Sequence, residues 1–339
     1  MRAALIEAVG EPLRIVDVET PRRGPEEALV RMATVSLNPV EVHIWAGRFF
    51  DGKPAVPYVP GVEGVGVVEE GGQLEPGTRE RVEIVHPGYG RDGLISEYAV
   101  VPETADDRNR AAQAMAFPLP TGVDDVAGAA LGATGYTSLM LLDRAVEAGA
   151  ALEGAHVGVL AGTGAVGLCL LQLAKILGAA RVVVVGRNAA RLERARQLGA
   201  DAVVALEDGD GVDDLRERLL AAAEGRLDVV FDPLWGEPAL AAIDALGQDG
   251  VYVNFGHVAS TTAALRSLPL RNKRVSLVGH SSAQTTPGQR RSVYERVHAL
   301  AAGGREVLDV DELTIDEVPD AWDRLASSAG TKLVVRFPT

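Results

Sequence analysis

The residues whose types and spacing most clearly imply chemistry form a glycine-rich turn. Gly162 ends the apolar run 156–162, and Gly164 and Gly167 lie at the start of a stretch of helical period over 165–177. A strand that enters G-x-G-x-x-G and continues as a helix is typical of dinucleotide-binding proteins, because the helix N-terminus offers free N–H groups and partial positive charge to a diphosphate. We therefore expect dinucleotide contacts from six consecutive residues: Gly162, Thr163, Gly164, Ala165, Val166 and Gly167.

The three glycines of this turn have different expected roles. Gly162 permits the tight turn, Gly164 leaves no Cβ between the backbone and the pyrophosphate, and Gly167 lets the helix pack on the strand. The alternative interpretation is a glycine-bearing loop that holds no ligand. The strand before the motif and the helix after it favour the dinucleotide site.

The end of the second strand, 181–187, indicates which dinucleotide would bind. A site specific for NAD carries Asp or Glu here for the ribose 2′-hydroxyl, whereas arginine suits the 2′-phosphate of NADP. No acidic residue occurs before Glu193, and Arg187 and Arg191 can make charge-assisted hydrogen bonds to a phosphate. The pattern favours NADPH, although both arginines can equally be solvated surface residues. The expected contacts are Gly186, Arg187, Asn188 and Arg191.

A parallel sheet must position these residues. From about residue 124, apolar runs alternate with stretches of helical period, the signature of βαβ units. Six runs are predicted as strands: 156–162, 181–187, 201–206, 227–232, 250–256 and 274–280. Four helices are predicted between them: 165–177, 189–199, 212–224 and 237–247. Gly178, Gly199 and Gly247 stand where C-terminal helix caps belong. The fold class is therefore α/β, with a doubly wound parallel sheet.

The first third of the chain has a different pattern. Short segments with β-branched residues are separated by Gly and Pro, which predicts a compact β-barrel or sandwich. These segments are 28–38, 64–72, 81–85 and 95–102. After about residue 283 the pattern loosens into a helix near 291–302 and a closing strand at 332–337. The length of 339 residues suits two domains.

Composition narrows the classes of partner. The formal net charge is −14, which argues against nucleic acid and against an anionic membrane surface, since both need clustered Lys and Arg. The most apolar stretch, 157–171, is too short for a membrane span and is broken by glycines. The one cysteine, Cys169, allows no internal disulfide. No secretion signal is recognisable at the N-terminus, so we expect a cytoplasmic protein with a small-molecule substrate.

Together these features resemble the medium-chain dehydrogenase/reductase superfamily, and most nearly its zinc-free, quinone-oxidoreductase-like branch. The similar segments are LNPVEVHIWAG (37–47), PYVPGVEGVG (57–66), ATGYT (133–137), DPLWG (232–236), GVYVNFG (250–256) and GTKLVV (330–335). The resemblance implies a GroES-like β-barrel catalytic domain at 1–122, to which 283–339 return, and a Rossmann NADPH-binding domain at 123–282. It also implies cofactor contacts from Phe255, Gly256 and His280. Relatives commonly dimerise through the cofactor domain, so a homodimer is expected.

Zinc-dependent relatives place ligands at three positions where this chain differs. Asn38 stands where they have Cys, Val62 stands where they have His, and the Cys expected within 131–135 is absent. Catalytic zinc needs three N, S or O ligands from the protein, so we expect no metal. Without a Lewis acid, a conjugated acceptor is the easier substrate, because the enolate left by hydride addition needs only one or two hydrogen-bond donors. The resemblance therefore implies hydride transfer from NADPH to a quinone or an α,β-unsaturated carbonyl.

Three residues are candidates for hydrogen bonding or proton transfer to such an acceptor. His43 stands where related quinone oxidoreductases often carry a Tyr, and it can bind a substrate oxygen or carry a proton near neutral pH. Its alternative role is packing beside Trp45. Asn38 can donate from its amide, or it can serve as the turn residue before Pro39. Tyr136 falls on the helix of the ATGYT segment, where core packing is the main alternative.

The substrate and the reaction stay open at this stage. Enoyl-thioester reductases of the superfamily have a Tyr proton donor just after the glycine that matches Gly47, where this chain has Phe. This departure favours a bulky apolar or aromatic acceptor, for which an aromatic wall is available: Trp45, Phe49, Phe50 and Tyr58. A local hydrophobic cluster is the other interpretation. We favour a zinc-independent reductase over a metal-free carbonyl reductase or alcohol dehydrogenase, and over a non-catalytic NADPH-binding protein.

Overall fold

The computed structural model describes residues 1–49, 52–104, 114–282, 285–301, 308, 310–326 and 331–338. They divide into two compact units. The first contains Met1–Ala133, Thr286–Ala302 and Leu308–Thr339, and the second contains Thr134–Thr285. The sequence placed the internal boundaries at 122/123 and 282/283, whereas the structure groups residues 123–133 with the first unit. Within the described ranges, no helix has both the length and the apolar character needed to span a bilayer.

The first unit is built on two antiparallel strands and a seven-stranded sheet. Its strands are β1 (Arg2–Leu5), β2 (Arg14–Asp17), β3 (Glu27–Ser36), β4 (Glu63–Glu70), β5 (Arg79–Ile84), β6 (Tyr98–Pro102), β7 (Ala114–Pro118), β14 (Val310–Leu313) and β15 (Lys332–Arg336). β1 pairs with β2, and the large sheet has the order β14-β15-β3-β4-β5-β7, with β6 beside β3. Every pairing in the large sheet is antiparallel except β14 with β15.

Both ends of the chain build this sheet, because the closing strand β15 pairs with β3. Its core accordingly mixes Val30 and Met32 from β3 with Val335 from β15. The helices of the unit are α1 (Pro39–Trp45), α2 (Asp125–Ala130), α9 (Pro287–Ala301) and α10 (Val318–Ala326). The four strands predicted in the first third, the helix near 291–302 and the closing strand are confirmed.

The second unit is a six-stranded, fully parallel sheet. Its strands are β8 (His156–Val159), β9 (Arg181–Gly186), β10 (Ala202–Ala205), β11 (Leu227–Asp232), β12 (Leu246–Asn254) and β13 (Ser276–Gly279). They lie in the order β10-β9-β8-β11-β12-β13. The helices are α3 (Ala133–Glu147), α4 (Ala165–Ile176), α5 (Ala189–Gln197), α6 (Val212–Ala222), α7 (Glu237–Ala245) and α8 (Ser267–Lys273). All six predicted strands and all four predicted helices are confirmed, and α8 is additional.

This strand order fixes where a ligand would bind. In doubly wound sheets, ligands occupy the crevice outside the carboxyl ends of the strands, at the point where the order reverses. Here the reversal lies between β8 and β11, which are hydrogen-bonded neighbours. The glycine turn follows β8, so it stands at this point.

One of the three predicted helix caps is wrong. Gly178 and Gly199 follow α4 and α5 with φ values of 91° and 106°, in the left-handed region that helix ends favour. Gly247 is instead a strand residue, because α7 ends at Ala245 and β12 begins at Leu246. A Cβ at Gly247 would lie 2.6 Å from Cδ of Arg226. Close packing, and not helix termination, accounts for that glycine.

Candidate functional site

The glycine turn leaves the N-terminus of α4 uncovered. A Cβ at Gly167 would lie 2.4 Å from Cα of Gly162, and a Cβ at Gly162 would lie 2.8 Å from the carbonyl oxygen of Val159. Both glycines are therefore required by the packing of α4 on the strands. Gly164, the N-cap residue of α4, differs: the nearest atom to its Cβ position is 3.9 Å away. The space in front of the helix is open on the side where a diphosphate would lie.

The tight turn itself is made by a different residue from the one expected. The sequence assigned it to Gly162, but the residue with a left-handed backbone is Ala161, with φ of 47°. Gly162 N donates a hydrogen bond to Val185 O at 2.9 Å, which ties the turn to β9. Gly162 thus allows β8, β9 and α4 to approach one another closely, and its own φ is not in the left-handed region.

Thr163 and Gly186 fit one another at the end of β9. The Thr163 side chain is almost fully buried, and a Cβ at Gly186 would lie 2.6 Å from Cγ2 of Thr163. Any larger residue at position 186 would displace that side chain. The two predicted contact residues therefore also set the distance between the glycine turn and β9.

Two of the predicted phosphate-binding residues flank a helix start. Asn188 is the N-cap of α5, and its Oδ1 accepts a hydrogen bond from Arg191 N at 3.1 Å. This cap stabilises α5 independently of any ligand. Arg187 lies between β9 and the cap and is exposed. The segment after β9 therefore carries Arg187 and Arg191 next to a helix N-terminus, a favourable setting for an anion.

The remaining predicted cofactor residues lie at the carboxyl ends of β12 and β13. Phe255 N donates to Asp232 O at 2.9 Å, and His280 N donates to Asn254 O at 2.9 Å. A Cβ at Gly256 would lie 2.7 Å from Pro233 O. The structure therefore brings every predicted cofactor residue to one edge of the parallel sheet.

Sequence reasoning missed the role of Asp232 at the same edge. Its buried carboxylate accepts hydrogen bonds from Leu234 N at 2.6 Å, from Trp235 N at 2.9 Å and from the hydroxyl of Tyr252. Burial raises the pKa of Asp232, and these donors act in the opposite direction. Trp235 has a φ of 62°, which is costly for a bulky residue. Asp232 therefore holds a strained turn beside the reversal point, and the segment DPLWG (232–236) is the sequence signal from which this role could have been inferred.

In the first unit, Asn38 is part of a buried network of charges. Its Oδ1 accepts a hydrogen bond from Lys332 Nζ at 2.5 Å, and its Nδ2 donates to Glu63 Oε1 at 3.0 Å. Lys332 Nζ lies 3.3 Å from the same Glu63 oxygen, which also accepts from Ser36 Oγ at 2.7 Å. The side-chain amide is therefore engaged at both ends, which leaves it poorly placed to donate to a substrate.

The second carboxylate oxygen of Glu63 completes the network. It accepts hydrogen bonds from Arg81 Nη2 at 2.6 Å and from Ala133 N. A Cβ at Gly132 would lie 1.9 Å from this oxygen, so glycine is required there. Burial raises the pKa of Glu63, but Lys332 and Arg81 outweigh that effect and hold the pKa below its ordinary value. Glu63 is therefore a carboxylate shared between two buried cations.

Glu41 is a second buried acid beside Asn38. Its Oε1 accepts from Val62 N at 2.8 Å, and its Oε2 accepts from Asn38 N at 3.3 Å. Burial raises the pKa of Glu41 to about 8. The carboxyl is therefore largely protonated at neutral pH and adds little negative charge beside Glu63.

The other two predicted catalytic residues differ in exposure. His43 lies on α1 and is exposed, whereas Tyr136 lies on α3 with 6% of its surface accessible. Trp45 donates its Nε1–H to Glu11 O at 2.6 Å. Asn38 and His43 belong to the first unit, and Tyr136 belongs to the second. Among the three, His43 has the exposure that a reacting group needs.

The expected aromatic wall takes a different form. Phe49 packs against His86 with ring centroids 4.7 Å apart, and against Tyr89 at 6.0 Å. Tyr58 is buried in the core of the first unit, and Phe50 lies outside the described residues. The described aromatic cluster is therefore Phe49, His86 and Tyr89.

The positions that correspond to zinc ligands offer a poor donor set. Asn38 is hydrogen-bonded to a buried ammonium, and Val62 is a buried aliphatic residue. A divalent cation beside Lys332 would face unscreened repulsion in a buried environment. In the parts of the chain that the structure describes, no group of three or more His, Cys, Asp or Glu side chains is arranged to hold a metal ion.

Two family models match the chain. The alcohol dehydrogenase GroES-like domain matches residues 24–106, and the zinc-binding dehydrogenase domain matches residues 165–303. Together they cover more than half of the sequence. Both units of the fold are thus accounted for: a GroES-like unit and a Rossmann-like parallel sheet.

Individual relatives agree with this assignment. Quinone oxidoreductase-like protein 2 of Mus musculus is 27% identical over 82% of this chain and 74% of its own length. Human sorbitol dehydrogenase is 32% identical, but the match spans only 57% of each chain. The solved quinone oxidoreductase of Thermus thermophilus, described also in complex with NADPH, is 27% identical with a TM-score of 0.73. That likeness covers 99% of this chain and 100% of the Thermus chain.

Proposed function

The chain belongs to the medium-chain dehydrogenase/reductase superfamily, in its quinone-oxidoreductase-like branch, and from this premise we propose that it is an NADPH-dependent oxidoreductase. The proposed acceptor is a quinone or an α,β-unsaturated carbonyl, and the proposed reaction uses no zinc. When bound, NADPH supplies a hydride to an electron-poor carbon of the acceptor.

One observation carries the proposal, which is the open N-terminus of α4 at the reversal point of the sheet. Gly164 has no side chain to cap the helix, and the nearest atom to its Cβ position is Ala161 O at 3.9 Å. The first N–H groups of a helix have no partner within the helix, and its dipole favours an anion. Gly164, Ala165, Val166 and Gly167 would therefore hold the pyrophosphate, with Thr163 fixed against β9.

Arg187 and Arg191 support the choice of NADPH over NADH. Both follow β9, where a ribose 2′-substituent lies in dinucleotide-binding sheets. The helix cap at Asn188 orients the start of α5, so Arg191 is held in its first turn. A guanidinium and a phosphate form charge-assisted hydrogen bonds that a ribose hydroxyl cannot match.

The buried network around Asn38 supports a reaction without zinc. Of the two residues Asn38 and Val62, only Asn38 has a polar side chain, and Lys332 Nζ lies within hydrogen-bonding distance of it. An acceptor whose charge is delocalised needs less electrophilic assistance than an isolated ketone. Hydrogen bonds from side chains are then sufficient, and we assign that role to His43, which is exposed on α1.

The described aromatic cluster supports a planar acceptor. Phe49 is only partly buried, although His86 and Tyr89 pack against it. An aromatic ring held by two others keeps its orientation and offers a face for stacking. A bulky or aromatic quinone fits this surface better than a short aliphatic enone.

Binding experiments test the cofactor assignment. We expect Arg187→Asp to weaken NADPH binding by about 10-fold or more, since hydrogen bonds to charged groups contribute about 1.5–3 kcal/mol, and to leave NADH binding nearly unchanged. Arg196→Asp, at the exposed last turn of α5, is the matched control for the change in net charge. Fluorescence titration with both dinucleotides gives the affinities. Equal losses for NADPH and NADH would contradict the assignment.

Anaerobic assays with NADPH test the reaction. The wild-type protein is mixed with quinones, enones and simple ketones, and each product is identified. Reduction of quinones or enones supports the proposal. Exclusive reduction of ketones would favour a metal-free carbonyl reductase, and tight NADPH binding without turnover on any acceptor would favour a non-catalytic protein.

A further inference from the structure

Three polar side chains form a hydrogen-bonded series at the carboxyl edge of the parallel sheet. His280 Nε2 lies 3.3 Å from Ser282 Oγ, and Ser282 Oγ lies 3.3 Å from Thr137 Oγ1. His280 directly follows β13, and Thr137 lies in α3. All three side chains are half-buried. The series therefore runs from the end of an edge strand to the helix that precedes β8, with both ends within reach of solvent or a ligand.

Neighbouring contacts place this series beside the glycine turn. The hydroxyl oxygen of Ser138, the next residue in α3, lies 2.8 Å from Thr134 O and 3.2 Å from Val166 O, in the first turn of α4. The other end is fixed as well, since His280 N donates to Asn254 O at 2.9 Å and Arg144 Nε donates to Gly279 O at 3.3 Å. Thr137 therefore directly precedes, in α3, the residue that contacts the segment proposed to hold the pyrophosphate.

The surroundings of His280 keep its ring neutral. Burial lowers the pKa of His280, the Arg144 guanidinium lowers it further, and Glu147 opposes them. Arg144 and Glu147 are paired at 3.1 Å on α3, and the contact from β12 is an uncharged carbonyl. A neutral imidazole has one donor and one acceptor nitrogen, so it can give a proton at one and take a proton at the other.

We propose that Thr137, Ser282 and His280 deliver the proton that completes the reduction, an inference that rests on the function proposed above. Hydride addition to a quinone or an enone leaves an oxyanion. The O–H bond of Thr137 breaks as the O–H bond of the reduced acceptor forms. Ser282 Oγ–H then reprotonates Thr137, and His280 Nε2–H reprotonates Ser282. Nδ1 takes a proton from water, so the imidazole stays neutral and the water is left as hydroxide.

In this assignment the series in the second unit is the source of the transferred proton. General acid catalysis of this kind contributes about 100-fold or more to a rate. This rate contribution is smaller when the reduced acceptor is a stronger acid, because its oxyanion is a weaker base and depends less on a proton donor.

Two variants test the series. Thr137→Val and Ser282→Ala each remove one hydroxyl, and Ser281→Ala, one residue away and exposed, is the matched control. We expect both variants to lower kcat with an enone by about 100-fold without a change in NADPH affinity. The loss is smaller with a halogenated benzoquinone, whose hydroquinone product is a stronger acid. A structural defect would lower kcat equally with both acceptors, and that result would overturn the inference.

A measurement on the cofactor-free protein gives a second readout. Histidine-selective ¹⁵N NMR reports the tautomer and the pKa of His280. We expect the wild-type ring to titrate below the ordinary histidine value, because of burial and Arg144, and Ser282→Ala to shift both the pKa and the tautomer populations. Identical spectra for wild type and variant would show that the hydroxyl is not bonded to the ring, and would overturn the inference.

The outcomes distinguish this inference from the proposed function. A wild-type protein that reduces quinones or enones, with Thr137→Val and Ser282→Ala equally active, overturns only the proton-delivery series. A wild-type protein that oxidises NADPH with none of the acceptors overturns both. Selective loss with the enone, together with unchanged NADPH affinity, supports both.

Discussion

Replacing Lys332 by Met probes the buried network that joins the two ends of the chain. Lys332 is 3% exposed, and its Nζ lies 2.5 Å from Asn38 Oδ1 and 3.3 Å from Glu63 Oε1. Methionine nearly conserves the volume of the side chain, so the substitution removes the charge with little loss of packing. The expected result is a large loss of stability in the first unit.

The magnitude follows from what remains after the charge is removed. Taking one partner from a buried ion pair costs about 3–5 kcal/mol, because the other charge stays buried. Arg81 still contacts Glu63 at 2.6 Å, which places the expected loss near the lower limit, at about 3 kcal/mol. Adding Glu63→Gln to Lys332→Met removes the carboxylate charge that has lost its ammonium partner. We expect that double variant to be more stable than Lys332→Met alone by about 1 kcal/mol or more.

The pH dependence gives an independent check. Burial raises the pKa of Glu63, but Lys332 and Arg81 outweigh it and lower the pKa. A lowered pKa adds stability above the unfolded value, about 4.3, and that stability is lost as the pH falls through the folded value. Without Lys332, the stability contributed by the ionised Glu63 carboxylate becomes smaller or changes sign. The loss caused by Lys332→Met is therefore larger at pH 7 than at pH 4.

Urea unfolding followed by tryptophan fluorescence measures the effect. Trp45 and Trp322 report on the first unit, and Trp235 reports on the second. Lys175→Met is the matched control, since Lys175 Nζ pairs with Asp201 at 3.0 Å on a partly exposed surface. Such pairs contribute at most about 1 kcal/mol. If Lys332→Met is no more destabilising than Lys175→Met, the network does not stabilise the first unit as described.

Three further predictions address the sites separately. Gly167→Ala places a Cβ 2.4 Å from Cα of Gly162 and should destabilise the protein by about 1–3 kcal/mol. In Gly164→Ala the nearest atom to the new Cβ is 3.9 Å away, so this variant should fold normally but bind NADPH weakly. Equal thermal stabilities of the two variants would contradict this prediction. Burial raises the pKa of Glu41 to about 8, which adds stability that is complete below the unfolded pKa and lost as the pH rises through 8. The stability of Glu41→Gln relative to wild type should therefore increase from pH 5 to pH 9. Denaturation at each pH measures the two free energies of unfolding, and a difference between them that does not change with pH would contradict the prediction. His43→Phe should lower turnover more than NADPH affinity, and unchanged turnover would remove His43 from the mechanism.

The sequence alone determined the parallel sheet and the place of the glycine turn. Both rest on local rules, since apolar runs of strand length, helical periodicity and Gly-x-Gly-x-x-Gly depend on neighbours within about two turns of helix. For the same reason, the expected cofactor residues all fall at one edge of the sheet. Local rules also explain the error at Gly247, where a glycine at the end of a helical pattern looks like a cap whether or not the helix stops before it.

Only the tertiary structure decided what Asn38 does. Its partner Lys332 is 294 positions away in the chain, and no periodicity or spacing connects residues that far apart. Burial then changes their chemistry, because a charge removed from water must find an opposite charge or a hydrogen bond. The same holds for Ser282 and Thr137, which are 145 positions apart. Local pattern specifies the elements, whereas the partners of buried polar groups are set by the packing of distant segments.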